Sequence, residues 1–271
     1  SAHETLIDIA RRAGLGYEEI RWANPEVDPW LPGAGTVVRL PQQHLLPQAQ
    51  RQGIVLNLPE MRLFYYQGGQ VWTFPVGIGR MDWRTPLGTT RVVEKRPRPA
   101  WYPPESIIRE HAERGDFLPK MVPPGPDNPL GLFSLRLGIP GYLIHGTNKA
   151  FGIGMRVTHG CMRLYPEDIE TLFGAVSVGT PVTIVNQPAK VGLSGTTVYL
   201  EVHPPLEEDQ ERFHDGAGEV SRQLAALGIS AGEVDWSLIR AELARPSGMP
   251  LPVSRDVISA RASTPSPSGA M

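Results

Sequence analysis

The stretch HGTNKAFGIGMRVTHGCMRL, residues 145–164, holds the chain's single cysteine, two of its seven histidines and four glycines. Just upstream, GYLIHG (141–146) is a short apolar run ending on His145, which reads as a strand. Just downstream, Tyr165-Pro166-Glu167-Asp168 opens PEDIETLF, with proline at the first helical position and acids in the first turn, which reads as a helix. Between them the glycines let the backbone turn tightly and approach a ligand closely. Cys161 therefore lies in a loop a few residues before a helix amino end, a position expected to favour its thiolate.

Outward from this stretch the apolar period is two. GIVLNL (53–58) and MRLFYY (61–66) flank Pro59-Glu60 as a hairpin, and QVWTFPVGIG (70–79) follows the Gly68-Gly69 turn as a third strand. LGTTRVVEK, GLFSLRLG, GYLIHG and TPVTIV are further strands. Residues 96–130 form a proline-rich insertion with a helical patch near Ser106 to Arg114, and an insertion of that length between strands reads as a lid or binding loop. These elements predict a mainly β core over residues 53–187, with one short helix near the cysteine.

On the amino-terminal side, ETLIDIARRA places Leu6, Ile9, Ala10 and Ala13 on one helical face before Gly14. YEEIRWAN reads as a second short helix and TVVRLP as a strand, giving a small α+β module over residues 1–47 and a linker at 48–52. The chain opens so close to the first helix that it is expected to be a trimmed or mature form. Beyond Pro188, TTVYLEV reads as a strand, and HPPLEEDQERF, EVSRQLAALG and VDWSLIRAELA read as helices of an extension ending near Arg245. Residues 246–271, rich in proline and serine, are expected to be disordered.

Composition narrows the function. The chain has 271 residues with a formal charge of −2, so no field gathers nucleic acid or an anionic membrane. Its 29 Gly and 28 Pro, against roughly 12% usage in an average protein, argue against a long-helix bundle. No apolar run reaches the roughly 18 residues of a membrane span, and no signal peptide is visible. One cysteine excludes an intrachain disulfide and any multi-thiolate cluster. The His-Gly-Cys spacing also fits poorly with zinc ligation, so neither a metal nor another cofactor is expected.

What remains is nucleophilic chemistry. A free thiol is only a few per cent ionised at neutral pH, and a positioned histidine is its natural activator, contributing roughly 10²- to 10⁴-fold. A Cys/His pair of this kind attacks an amide, forms a thioester and passes the acyl group to an amine or to water.

The HG element at His145 and the THGCMR element at 158–163, with the Gly-rich loop between them, resemble the signature of the L,D-transpeptidase (YkuD) domain. IGRMDWRTPLGTT and GIVLNLPEMRLFYY resemble that family's upstream strands. The resemblance implies a YkuD-type β-sandwich with Cys161 as nucleophile and His145 as base, held by the carbonyl of Gly146. It further implies that His159 and Gly160 shape the oxyanion and acceptor side, Arg163 binds substrate or braces the loop, and Thr158 fixes the turn. Tyr142 and Trp101 are candidate substrate-wall aromatics. The remaining histidines, at 3, 44, 111, 203 and 214, are expected at the surface.

The implied substrates are peptidoglycan stem peptides. The implied acceptors are the diaminopimelate amine of a second stem or a lysine of an outer-membrane lipoprotein, and carbapenems are implied as acylating inhibitors. Two alternatives stay open: a hydrolase of the same fold, and a non-catalytic wall-binding protein. Residues 4–11 (ETLIDIAR), 19–25 (EIRWANP) and 32–41 (PGAGTVVRLP) resemble a LysM module, a glycan-binding fold whose first strand would precede Glu4. The whole outline resembles exported periplasmic members, and a solitary thiol suits an oxidising compartment because it has no intrachain partner.

Overall fold

The computed structural model describes residues 4–255, which divide into two compact units. The first comprises residues 4–40 and Ala49–Asn186. It begins with helices α1 (Leu6–Arg12) and α2 (Tyr17–Ala23). Thr5 and Asp8 close a reciprocal capping box at the start of α1, satisfying two backbone donors that the first turn leaves open. No strand occurs in residues 4–52. The strand expected in TVVRLP is absent because those residues find no ladder partner, so this module consists of two helices and loops.

The strands that follow are β1 (Gly53–Asn57), β2 (Arg62–Gln67), β3 (Gln70–Pro75), β4 (Ile78–Gly79) and β5 (Gly88–Pro97). After helix α3 (Glu105–Glu113) come β6 (Phe133–Leu137), β7 (Leu143–His145), β8 (Arg156–Thr158), β9 (Met162–Arg163), helix α4 (Pro166–Ala175) and β10 (Pro181–Val185). Eight of these strands form one mixed ladder in the order β3-β2-β1-β10-β5-β6-β7-β9. β1 is buried along its whole length between β2 and β10, which explains its apolar run Ile54-Val55-Leu56.

The core is strand-rich, as expected, and two groups of bonded strands are joined into one continuous ladder. β5 is the cause. Its first residues pair with β10 and its later ones with β6, with a register shift between Val92 and Glu94. The expected third strand is also divided, since β4 leaves the ladder after Pro75 to pair with β8.

The amino-terminal helices pack directly on this core. Arg62, on β2, makes a bidentate ion pair with Glu19 of α2 at 2.7 Å, both side chains fully buried. The Tyr17 and Glu18 amides donate to the carbonyls of Ile153 and Gly154. A Cβ on Gly154 would come within 2.3 Å of the Gly16 Cα, so only glycine permits this approach. The Tyr165 hydroxyl donates to the Leu15 carbonyl at 3.0 Å. These helices therefore brace the backbone on both sides of the cysteine turn.

The second unit comprises Pro41–Gln48 and residues 187–255. β11 (Ala189–Ser194), β12 (Thr197–Val202) and, after helices α5 (Gly216–Ala226) and α6 (Trp236–Ala244), β13 (Leu251–Pro252) form a three-stranded antiparallel sheet. Val191, Val198, Leu200, Val220, Leu224, Ile239 and Val253 make its core.

Three expectations are corrected here. HPPLEEDQERF forms only a one-turn 3-10 segment at Glu207–Asp209, since two prolines and a run of acids oppose a helix. Residues 246–255, expected to be disordered, supply β13 and the fully buried Val253, while the rest of that tail lies outside the described residues. His203, expected at the surface, is fully buried beside Glu201.

Candidate active site

β7 and β9 run parallel, with Ile144 opposite Met162 and His145 opposite Arg163. Because side chains alternate along a strand, Ile144 and Met162 share the core face and both are fully buried. His145, Cys161 and Arg163 share the other face and line one cavity of about 310 Å³. Leu143 and Tyr142 also line it. Trp101, Tyr102, Pro104, Ile107 and Leu130 reach the cavity from the proline-rich insertion.

His145 is buried, and its Nδ1 lies 2.6 Å from the Gly146 carbonyl oxygen. A carbonyl can only accept, so Nδ1 carries the proton and donates. The Nε2 lone pair is then left as the base. Burial, reinforced by the Arg163 charge and only partly opposed by the Gly146 hydrogen bond, pushes the imidazole pKa down to about 3.

Cys161 is half-buried, and its Sγ is 3.6 Å from the Gly141 carbonyl oxygen. Its burial pushes the thiol pKa above the ordinary value, outweighing the Leu143 backbone and Arg163, which pull it down. The expected preference for thiolate is thus corrected: α4 starts at Pro166, too far along to outweigh desolvation. At neutral pH the pair rests as thiol and imidazole.

The turn that presents the thiol is held at several points. The Thr158 hydroxyl donates to the Cys161 carbonyl at 2.6 Å. Gly160 has φ +97°, and a Cβ there would meet the Tyr142 ring at 2.8 Å. Its carbonyl accepts from the Thr85 hydroxyl at 2.9 Å, which gives the Thr85-Pro86-Leu87-Gly88 sequence a structural role. In a trans peptide the Cys161 N–H points opposite to that carbonyl, away from Thr85. The Tyr142 hydroxyl donates to the Arg84 carbonyl.

Arg163 is half-buried, makes no ion pair among the described residues, and leaves its buried Nε without a hydrogen-bond partner. Burial lowers its pKa from the usual guanidinium value, and Cys161 partly restores it. A desolvated guanidinium on the wall of a cavity is suited to a carboxylate.

The catalytic-domain model of the L,D-transpeptidases (YkuD) matches residues 51–184. The chain is 42% identical to "Probable L,D-transpeptidase ErfK/SrfK" of Salmonella typhimurium over 93% of its own length and 83% of that protein's. It is also 42% identical to "Probable L,D-transpeptidase YcfS" of Escherichia coli, over 94% and 82% of the two chains. The chain belongs to the L,D-transpeptidase family. Among solved structures, LdtMt1 in complex with imipenem is 21% identical, with a TM-score of 0.37 over 50% of this chain and 59% of that one.

This L,D-transpeptidase is therefore a cysteine acyltransferase by family. The structure brings His145, Thr158, His159, Cys161, Arg163, Tyr142 and Trp101 around one cavity, with Gly146 and Gly160 in the backbone that shapes it. Sequence reasoning missed three residues. Glu110 of α3 pairs with His159 at 2.8 Å and with Arg80 at 3.0 Å, and Trp83 meets the His159 ring edge-on at 5.0 Å. The helical patch at Ser106 to Arg114 was visible, but nothing in it marked Glu110 as the residue facing the cysteine turn.

Proposed function

We propose that Cys161 and His145 carry out peptidoglycan L,D-transpeptidation at this cavity. Cys161 is the nucleophile: its Sγ attacks the amide carbonyl after the third residue of a tetrapeptide stem while His145 Nε2 takes the thiol proton. The amide C–N bond breaks and D-Ala leaves with that proton, giving a thioester. An amine then attacks the thioester carbonyl, the C–S bond breaks, and the thiol is restored. Because thiol and imidazole start neutral, proton transfer accompanies attack, without a preformed ion pair.

The observation that carries this reading is a half-buried thiol sharing a cavity wall with a histidine whose tautomer is fixed by Gly146. The Cys161 N–H, turned from Thr85, is suited to the developing oxyanion, with Gly160 giving the turn its shape. Thr158 holds that turn, Arg163 takes a substrate carboxylate, and Tyr142 and Trp101 wall the stem peptide. The donor is a stem peptide of an exported, periplasmic wall. The acceptor is a diaminopimelate amine or a lipoprotein lysine, and carbapenems acylate the same thiol.

Intact-protein mass after incubation with a disaccharide tetrapeptide tests the assignment. The wild-type chain gains the mass of the donor less D-Ala, and Cys161→Ala gains nothing and loses activity by about 10⁴ or more. An adduct that persists in Cys161→Ala, or none in the wild type, overturns it.

A further inference from the structure

Glu110 lies 51 positions before Cys161 in sequence and takes no part in the chemistry just described. Its carboxylate accepts from His159 Nε2 at 2.8 Å, from Arg80 at 3.0 Å and from Arg114, one turn along its own helix, at 2.7 Å. His159 precedes the nucleophile by two residues, and its other neighbour is the Trp83 ring. Glu110 thus ties α3 to the turn that presents the thiol.

The segment carrying α3 is fastened within itself as well. Trp101 and Val122 pair across its base through reciprocal backbone hydrogen bonds of 2.9 and 2.8 Å. The buried Asn128 amide donates to the carbonyls of Pro99, Val122 and Pro123, and its Oδ1 accepts from the Leu130 amide. Residues 98–130 therefore behave as one folded piece that supplies a wall of the cavity through Trp101, Tyr102, Ile107 and Leu130.

We propose that Glu110 is a positioning residue of the transfer reaction: through His159 it holds this lid over the thioester, so that the acyl group passes to an amine and not to water. The inference rests on the assignment of Cys161 as nucleophile. Both fates of the thioester break the same C–S bond and return a proton to Sγ. The amine route forms an amide and needs an acceptor seated in the cavity, whereas the water route forms a free carboxylate and needs only solvent access. A lid wall held in place supports the first and excludes the second.

The test uses the full chain as wild type, Glu110→Ala, Glu110→Gln, His159→Ala and the double variant Glu110→Ala/His159→Ala, with a tetrapeptide stem as both donor and acceptor. Intact mass reports acyl-enzyme formation, and product mass reports cross-linked dimer against free tripeptide. In Glu110→Ala the acyl-enzyme still forms, and the dimer-to-tripeptide ratio falls about tenfold. Glu110→Gln keeps an oxygen for His159 and gives a smaller fall, so a folded variant is available even if the alanine change destabilises the lid. The double variant falls no further than either single one, as expected of residues acting through one contact.

An unchanged product ratio in a Glu110→Ala enzyme that still acylates overturns the proposal, as do additive effects in the double variant. Absence of any wild-type acyl-enzyme at Cys161 instead overturns the nucleophile assignment, and the inference with it.

Discussion

Each unit buries a cluster of ionisable side chains, and the two clusters are built in opposite ways. In the second unit Lys190, Glu201 and His203 are all fully buried. Glu201 Oε1 accepts from Lys190 at 3.0 Å and from His203 at 2.7 Å, and Lys190 also donates to the Leu45 carbonyl. Burial alone would raise the Glu201 pKa, but Lys190 and His203 hold it below the usual carboxylate range. In the first unit, His145, Cys161 and Arg163 share a cavity with no carboxylate among its lining residues. Burial pushes all three toward their neutral forms. Charges matched inside the protein serve the fold, whereas groups left unmatched beside a cavity are free to exchange protons and bind a charged ligand.

The comparison breaks most visibly when one partner of the matched cluster is removed. Lys190→Met leaves the Glu201 charge buried without its ammonium, and the expected loss is about 3–5 kcal/mol. Chemical denaturation should show this as a lowered transition midpoint. The thiol carries no compensating charge, so Cys161→Ala should lower stability by far less while abolishing acylation. Equal losses of stability in the two variants would remove the distinction between the clusters.

A smaller effect sharpens it through pH. His145 has a folded pKa of about 3, below its ordinary value of 6.5. Between those values the unfolded chain takes up a proton that the folded chain refuses, so stability is lost as pH falls from 6.5 toward 3. By pH 5 the loss amounts to about 2 kcal/mol. A His145→Gln variant should lack this share of the acid dependence, read from denaturation midpoints at pH 7 and pH 5. Asp168 shifts the other way: burial, with Glu167 adding to it, raises its pKa to about 7. It contributes fully below its unfolded value of 3.8 and loses that contribution as pH rises through 7, so the His145→Gln comparison is made at matched pH.

The elements that sequence located were those whose signal is local. The apolar and aromatic residues of MRLFYY, the proline and acids that open α4, and the glycines around Cys161 each specify their own backbone, and the structure has a strand, a helix and a tight turn there. What sequence did not locate depends on partners distant along the chain. TVVRLP has strand composition but no neighbouring strand with which to form a ladder. AKVGLS (189–194) is interrupted by a lysine and a glycine and carries no strand signal of its own, yet it becomes β11, where Lys190 finds Glu201 and Leu45 inside the unit. The thiol's raised pKa follows from burial, which no motif records. Glu110 is one of several charges in the helical patch, and only the fold sets it against His159, 49 positions away.

The smallest expected effect concerns two ion pairs that join the amino-terminal helices to the catalytic core. Glu19–Arg62 is buried, with side chains 3% and 1% exposed, whereas Arg11–Glu167 is also bidentate but lies at the surface, with side chains 47% and 52% exposed. Nearly identical geometry in two solvent settings isolates the role of water. In the exposed pair, solvent and salt screen the attraction, and two long side chains lose rotamer freedom in making it. Arg11→Met should therefore cost no more than about 1 kcal/mol at low salt, and the difference from wild type should shrink further in 0.5 M NaCl. The Glu19 pair should not respond to salt in this way, because its charges never face the ionic atmosphere. If Arg11→Met instead proved as costly as breaking a buried pair, docking of these helices would depend on their surface rim, and burial would no longer separate the pairs that hold the fold from those that merely decorate it.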